Sequence, residues 1–337
     1  MGARRALFVA TFVWLASACS RGAAPRDEPS TDAGIVDVGH EARPELRDAD
    51  ADAEADVVTA RAKPPDVRAA FLEAKLLGGK AIGHTSVVLK VRLEGGLEAA
   101  WKPNTRRGKN RFRGEVAARR LGLALGLDAV PEAGLRCFGR EELLRLTSGT
   151  TRELLEAELV ADADGRVPGA ILPWIQGLTF PEVEREPLLS RWKRGLERPP
   201  RDGGADEPPT FLADMSTLVV FDSLTGNWDR MSGANVGRDP RTGRLLFVDN
   251  DGAFYDAPPP DGLARNTRLL HGTKRFSATF VAALEALDET SLAEVMGHDH
   301  QGRPLLSDKA LAGLVARLRE TRAYVAKTRR EGALDLP

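Results

Sequence analysis

The composition of the chain changes abruptly near Pro65, and this change decides which part of the chain can fold. Few large apolar side chains occur over residues 20–65, and residues 41–56 carry seven acidic residues against two basic ones. A segment with little to bury and an excess of like charge cannot offset its chain entropy, so residues 20–65 are predicted to be a disordered acidic tether. The folded part is therefore expected over residues 66–337, which is long enough for a two-lobed domain.

The first nineteen residues have the pattern of a bacterial export signal. Arg4 and Arg5 precede an apolar run over residues 6–16, which is shorter than the roughly 20 residues that a membrane-spanning helix needs. Small residues then lead to Cys19, as in a lipoprotein signal, whose cysteine is lipidated after cleavage. The pattern predicts an exported lipoprotein anchored to the membrane at Cys19, and Ser20 favours the outer membrane, facing the periplasm or the cell surface. An ordinary secretion signal and an uncleaved anchor are the alternatives.

Charge and cysteine content exclude several classes of protein. Lys and Arg together number 48 and Asp and Glu together number 49, so no net positive charge indicates a nucleic-acid partner. One basic run, residues 102–120, has eight basic residues against the single acidic Glu115. We interpret this run as a solvated loop, with contacts to phosphates or to an acidic acceptor as the alternative. Cys137 is the only cysteine of the folded part, so no internal disulfide is expected.

Hydrophobic spacing predicts a sheet followed mainly by helices. Residues 86–102 are expected to form a β-hairpin, residues 110–125 a helix and residues 170–175 a short buried strand. Further on, Thr210 and Ser307 can each cap a helix, and residues 235–249 contain a second hairpin. This order predicts an α+β, two-lobed fold. Its small β-rich N-lobe would cover about residues 66–175, and its mostly helical C-lobe about residues 176–337.

Three places concentrate polar residues where a hydrophobic core would not put them. The first is Lys102 at a strand end, with Glu115 in the following helix; the second is Asp229, between a helix and a hairpin; the third is the segment 249–252, where that hairpin ends. Phosphoryl transfer uses such a set of groups. A lysine held by a glutamate neutralises phosphates, one aspartate orients the acceptor hydroxyl, and another carboxylate with an amide side chain holds a divalent metal ion.

These segments resemble the secretory-pathway kinases of the Golgi casein kinase and four-jointed type, within the protein-kinase-like superfamily. That family has the motifs K-P at a strand end, E-[IV]-A-A in a helix, F-D-x-L-x-G-N-x-D-R in the catalytic segment and D-N-G in the metal segment. The matching segments here are Lys102-Pro103, residues 115–118 (EVAA), residues 221–230 (FDSLTGNWDR) and residues 249–252 (DNDG). The resemblance indicates a distant bacterial member with a kinase-like fold.

The resemblance implies a role for each matching residue. Lys102 would bind the α- and β-phosphates of ATP, Glu115 would hold Lys102 in place, Asp229 would act as the catalytic base, and Asp249 would bind Mg²⁺ or Mn²⁺. It also implies further nucleotide-binding and metal-binding candidates. The loop over the phosphates would contain Gly78, Gly79 and Gly83. The nucleotide pocket would be lined by Trp174 and Ile175, which could alternatively belong to a core strand. Further metal ligands would be Asn235 and Asp251.

Three departures from the family pattern affect this interpretation. Met231 stands where a histidine often follows the Asp-Arg pair, Asn235 lies six residues after Asp229 rather than five, and Asp251 is inserted before Gly252, where it competes with Asp249. The expected function is transfer of the γ-phosphate of ATP to a hydroxyl of a protein (Ser/Thr) or of a glycan. Two alternatives stay open: a nucleotide-binding pseudokinase that acts as a binding or scaffold lipoprotein, and a transferase of another group such as AMP.

Overall fold

The structure, a computed structural model, describes residues 67–83, 86–199, 207–332 and 334–337. The predicted export signal (residues 1–19), its lipidated Cys19 and the predicted tether (residues 20–65) lie outside the described residues. None of the helices in the described ranges is both long enough and apolar enough to cross a membrane.

The first part of the fold is a β-sheet whose strands alternate buried and exposed side chains. Its strands are β1 (Leu76–Ala81), β2 (Leu89–Leu93), β3 (Glu98–Pro103), β4 (Gly134–Gly139) and β5 (Arg166–Pro173). They form one antiparallel sheet in the order β1-β2-β3-β5-β4. In β3, Ala99 and Trp101 are fully buried, whereas Ala100 and Lys102 alternate with them and face the opposite side. The pleat thus directs Lys102 away from the apolar core of the sheet.

Four helices accompany the sheet: α1 (Val67–Glu73), α2 (Phe112–Ala124), α3 (Arg140–Arg145) and α4 (Gly149–Glu158). One apolar cluster joins the buried face of the sheet to the surrounding segments, with Trp101, Phe138 and Leu155 among its members. The apolar face of α2 belongs instead to the larger cluster of the helical part, through residues such as Val116 and Leu121. Helix α2 therefore carries side chains from the sheet to the helices.

The second part of the fold is built around one buried helix. Its helices are α5 (Leu188–Glu197), α6 (Pro209–Thr225), α7 (Pro260–Gly272), α8 (Ala278–Ala286), α9 (Leu292–Met296) and α10 (Asp308–Arg330). Nearly every residue of α6 is buried, because three helices (α5, α7 and α10) and three short strands pack against it. At the start of α10, the Ser307 hydroxyl accepts a hydrogen bond of 3.1 Å from the Ala310 N–H, which confirms this predicted cap. The cap predicted at Thr210 is wrong, because α6 begins at Pro209 and Thr210 lies inside it.

Two short strand pairs complete the architecture. Strands β6 (Val236–Arg238) and β7 (Leu245–Phe247) form the predicted antiparallel hairpin, and β8 (Arg275–Ser277) pairs in parallel with β9 (Leu334–Leu336). The predicted strand over residues 170–175 is displaced, because β5 begins earlier and ends at Pro173. The predicted α+β composition, a small antiparallel sheet followed mainly by helices, is confirmed, whereas the domain boundaries stay predictions.

Candidate active site

Lys102 lies at the centre of the candidate site and is held by two carboxylates. Its Nζ donates hydrogen bonds to Glu115 Oε1 and, at 2.8 Å, to Asp249 Oδ1. Burial acts to lower the pKa of the lysine and is the largest single influence, but the charges of Asp249 and Glu115 outweigh it and raise that pKa above its usual value. Lys102 is therefore a permanent cation at physiological pH, as a phosphate-binding lysine needs to be.

Glu115 connects helix α2 to the segment that follows β7. Its side chain is only 1% exposed, and its Oε1 also accepts a hydrogen bond of 2.9 Å from the backbone N–H of Asn250. The neighbouring Gly114 permits this close approach, since a Cβ at that position would lie 2.6 Å from the Asn250 carbonyl oxygen. A glycine and a glutamate in one helical turn thus dock α2 onto residues 249–252.

The segment after β7 brings two carboxylates into the site. Asp249 has a left-handed backbone conformation (φ 57°), which aspartate tolerates better than most residues. Burial acts to raise its pKa, but the ion pair with Lys102 prevails and holds the pKa of this carboxyl below its usual value. Asp251 is buried and paired with Arg111 at 2.6 Å; burial first, and the charge of Asp249 second, raise its pKa to about 7. The site therefore concentrates negative charge beside Lys102.

Asp229 lies in the loop that begins where α6 ends at a left-handed Gly226 (φ 64°). Its side chain is 27% exposed, and one of its carboxylate oxygens lies 3.9 Å from Arg111 Nη2. The loop is fixed from both sides: the Asp229 N–H donates to Asn227 Oδ1 at 3.1 Å, and the Asp229 carbonyl accepts from Asn235 Nδ2 at 2.8 Å. A rigid backbone thus presents the Asp229 carboxylate to incoming molecules.

Arg230 holds the loop of Asp229 and the segment after β7 together, a role that sequence reasoning missed. Its guanidinium is buried and donates to the Asp222 carboxylate at 3.0 Å, to Asn250 Oδ1 at 2.6 Å and to the backbone carbonyls of Asn235 and Val248. Burial raises the pKa of Asp222 although Arg230 acts in the opposite direction. The only sequence signal was the adjacency of Arg230 to Asp229 within the F-D-x-L-x-G-N-x-D-R segment. The same contacts give Asp222 the structural role that its position on a helix before the loop suggests.

The structure corrects the expected position of two glycines. Gly78 and Gly79 lie inside strand β1, opposite Arg92 and Val91 of β2, and not in a loop over the phosphates. The reason is the antiparallel pairing of the two strands, which extends up to Ala81 and leaves Gly83 beyond the end of β1. Only Gly83 of the three is near the turn between these strands.

Trp174 and Ile175 follow the last residue of β5, where the chain leaves the sheet. The Trp174 N–H donates to the Glu98 carbonyl at 2.9 Å, and Lys90 Nζ lies 4.5 Å from the centroid of its ring. Both side chains are partly buried. They lie outside the core strand that was one of the two interpretations of this segment.

The donor set fits a hard divalent cation. The side chains of Asp249, Asp251 and Asn235 offer oxygen atoms, the ligands that Mg²⁺ and Mn²⁺ prefer. Asn235 Nδ2 donates to the Asp229 carbonyl and to Ser232 Oγ, and no hydrogen bond among the described residues is made to its Oδ1. The raised pKa of Asp251 marks a place where added positive charge would be favourable. Within the described ranges, no cluster of three or more His, Cys, Asp or Glu side chains is arranged as a metal centre, so the expected ligand set depends on Asn235 or on the bound nucleotide.

The basic run, residues 102–120, includes the loop between β3 and α2, in which Arg106, Arg107 and Lys109 are exposed, as expected of a solvated loop. Arg107 pairs with Glu158 at 2.7 Å, Arg111 with Asp251 and Arg113 with Asp299 at 2.8 Å. Three of its arginines, two in the loop and Arg113 in α2, also form ion pairs with other segments.

Comparison with known proteins finds similar folds among solved structures. No protein-family model matches the chain, and no curated protein is significantly similar to it in sequence. The structure of Fam20 from hydra, solved with a sugar, aligns with a TM-score of 0.59 at 16% identity over 80% of this chain and 91% of that chain. The Golgi casein kinase, solved with Mn and ADP bound, aligns with a TM-score of 0.56 at 12% identity over 79% of this chain and 76% of that chain. The chain therefore has the kinase-like fold of the Fam20 and Golgi casein kinases, which confirms at the level of the fold the resemblance found in its motifs.

Proposed function

We propose that this chain is an exported kinase that transfers the γ-phosphate of ATP to a hydroxyl group of a protein (Ser/Thr) or of a glycan. One observation carries the proposal: Lys102, paired with Glu115 and Asp249, lies in the same site as the partly exposed carboxylate of Asp229. The neighbours give support by analogy of fold, since one was solved with a sugar and another with Mn and ADP.

Lys102 and its two partners would position the nucleotide. The ammonium group neutralises the non-transferred phosphates, while Glu115 and Asp249 fix its location so that little reorganisation is needed when the nucleotide binds. Trp174 and Ile175, at the exit of β5, would lie along the base of the nucleotide.

Asp229 would orient the acceptor and take its proton. As the acceptor oxygen forms a bond to the γ-phosphorus, the bond between that phosphorus and the β–γ bridging oxygen breaks, and ADP leaves. The proton of the acceptor hydroxyl passes to Asp229 and then to solvent. Asn227 and Asn235 keep the backbone of Asp229 in place during this step.

Mg²⁺ or Mn²⁺, held by Asp249 with Asp251 and Asn235 as further candidate ligands, would supply positive charge to the phosphate oxygens. The Arg230 side chain keeps the two loops that carry these ligands in a fixed relation.

The test uses the full-length protein with ATP radiolabelled at the γ-phosphate, either metal ion, and a panel of acceptors: a casein-like protein, simple glycans and the chain itself. We expect label transfer with the wild type and its loss in Asp229→Asn, which retains nucleotide binding. Asp308→Asn, which removes an exposed carboxylate at the start of α10, is the matched control and should behave as the wild type. Full transfer by Asp229→Asn would contradict the assignment of the base.

A second candidate is nucleotide binding without transfer. It is favoured by the pairing of Asp251 with Arg111, which occupies one of the carboxylates that a metal ion would need. Metal-dependent stabilisation by ATP with no label transfer to any acceptor would support this pseudokinase function. Transfer of an α-phosphate label instead of a γ-phosphate label would identify an AMP transferase.

Anchoring at Cys19 is part of the proposal and rests on the sequence alone. Expression in a bacterium fed with labelled palmitate should label the wild type and not Cys19→Ser. Equal labelling of both proteins would contradict the lipid anchor.

A further inference from the structure

A cavity of about 250 Å³ opens beside Lys102, between the start of β2 and the loop that connects β3 to α2. Three cations line it, Lys102, Arg107 and Arg111, against the single carboxylate of Asp251. Each of these cations is paired with at least one carboxylate, so the lining is rich in charge without being net positive, and it suits a charged ligand rather than an apolar one.

The connection between β1 and β2 is not a glycine-rich loop of the kind that binds phosphates through backbone N–H groups. Between Ala81 and Leu89, which end β1 and begin β2, the sequence contains only Gly83 as a glycine, and Gly78 and Gly79 are used inside β1. A loop with a single glycine offers few backbone N–H groups that can approach a phosphate closely. Side-chain cations that line the cavity are therefore considered as the phosphate-binding groups.

Arg111 is the cation closest to the proposed chemistry. Its Nη2 lies 2.6 Å from Asp251 Oδ1 and 3.9 Å from Asp229 Oδ2, so the guanidinium lies between the proposed base and the proposed metal segment. Its Cζ lies 5.8 Å from the ring centroid of Trp228 and 6.0 Å from that of Tyr255, and these rings limit its movement. The side chain is 28% exposed, so a ligand can reach it.

Arg107 does not have this position. Its guanidinium is paired with Glu158 at 2.7 Å, and half of the side chain is exposed to solvent. Among the three cations that line the cavity, Arg111 is the one that forms an ion pair with Asp229.

We propose that Arg111 donates hydrogen bonds to the γ-phosphoryl group of the bound nucleotide and stabilises the charge on its oxygens during transfer. The inference rests on the proposed function and assigns Arg111 a catalytic role that the motif comparison did not include. Arg111 forms and breaks no covalent bond: the acceptor oxygen bonds to the γ-phosphorus, the β–γ bridging oxygen leaves with ADP, and the proton passes to Asp229. The planar guanidinium can donate two parallel hydrogen bonds to phosphoryl oxygens, which an ammonium group cannot do.

The test compares two probes, ADP and the non-hydrolysable β,γ-imido analogue of ATP, each with Mn²⁺, by calorimetric titration of the full-length protein. In Arg111→Gln the affinity for the analogue should fall by roughly tenfold to a hundredfold, the range for a hydrogen bond to a charged group, while the affinity for ADP changes by no more than about twofold. Arg106→Gln is the matched control: it removes the same charge from the same loop at an exposed residue that does not line the cavity. Its ratio of the two affinities should equal that of the wild type.

Arg111→Lys keeps the charge and replaces Arg111→Gln in the experiment if that variant does not fold. Its affinity for the analogue should also fall, by a smaller factor, while its affinity for ADP stays unchanged. Equal losses for both nucleotides, or no loss, would overturn the inference and leave Arg111 only the role of holding Asp251. These outcomes do not bear on the proposed function, which the label-transfer experiment tests separately. If the wild type binds neither, the proposed function fails and this inference fails with it.

Discussion

Replacing Arg230 by leucine tests whether one buried arginine holds the two loops of the candidate site together. The Arg230 side chain is 1% exposed and that of its partner Asp222 is 6% exposed. Besides this carboxylate, the guanidinium satisfies the side chain of Asn250 and the carbonyls of Asn235 and Val248. The variant therefore leaves a buried charge and three buried acceptors without their donor.

The expected loss in the free energy of unfolding is about 3–5 kcal/mol, the usual cost of removing one partner of a buried ion pair. Simple addition of every hydrogen bond would give more, but contributions within one network are not additive. A typical domain has about 5–15 kcal/mol of stability, so this loss should be visible in urea unfolding.

Two further variants separate the buried charge from the other contacts. Arg230→Leu combined with Asp222→Leu removes the orphaned carboxylate as well, and should regain about half of the loss, since the other acceptors stay unpaired. Arg152→Leu is the control: Arg152 forms an exposed pair with Glu156 within one helix, where about 0.5 kcal/mol or less is expected. The reasoning is refuted if Arg230→Leu costs no more than this control, or if the double variant is less stable than the single one.

Four other expectations follow from the same structure. Gly252→Ala would place a Cβ 2.9 Å from Asp229 Cβ and should reduce phosphoryl transfer at least tenfold, whereas Gly272→Ala, with open space around it, should not; equal activities would contradict the close packing. Glu115→Gln removes one counter-charge of the buried Lys102 and should lower the free energy of unfolding, measured in urea, by about 1–3 kcal/mol. An unchanged urea midpoint at constant m-value would disprove this effect. Although burial acts in the opposite direction, hydrogen bonds from Gln301 and Arg303 hold the pKa of Asp299 below its ordinary 3.8. The stabilisation of the folded state by this carboxylate is therefore complete above pH 3.8 and is lost as the pH falls through the folded-state pKa. Asp299→Asn should accordingly flatten the fall of the melting temperature in this acid range. Burial raises the pKa of the Cys137 thiol to about 11. In a Cys19→Ser background, iodoacetamide should therefore modify Cys137 at pH 8 at least tenfold more slowly than a free cysteine. A modification rate that levels off by pH 9 would contradict this expectation.

Local patterns in the sequence were sufficient for several elements. The alternation in β3, the helical spacing of α2 and the serine cap of α10 each depend on residues within a few positions of one another. Strand β9 and its parallel pairing with β8 had no such signal, because each has three residues and its partner is distant in the chain. Gly78 and Gly79 were misplaced for a different reason: β1 and β2 are neighbours in the chain, but how far their pairing extends decides whether a glycine belongs to a strand or to a turn.

The sequence by itself determined the candidate chemical groups and the order of the elements that carry them, since propensity, capping and motif spacing are short-range properties. The tertiary structure alone decided which groups meet. Lys102 and Asp249 are 147 positions apart, Glu115 and Asn250 are 135 apart, and Arg111 and Asp251 are 140 apart. Contacts over such separations depend on how α2 packs between the sheet and the helices around α6, and on the buried Arg230 that fixes the two loops. No local pattern encodes these packing relations, because each results from burial and charge pairing among segments that the fold brings together.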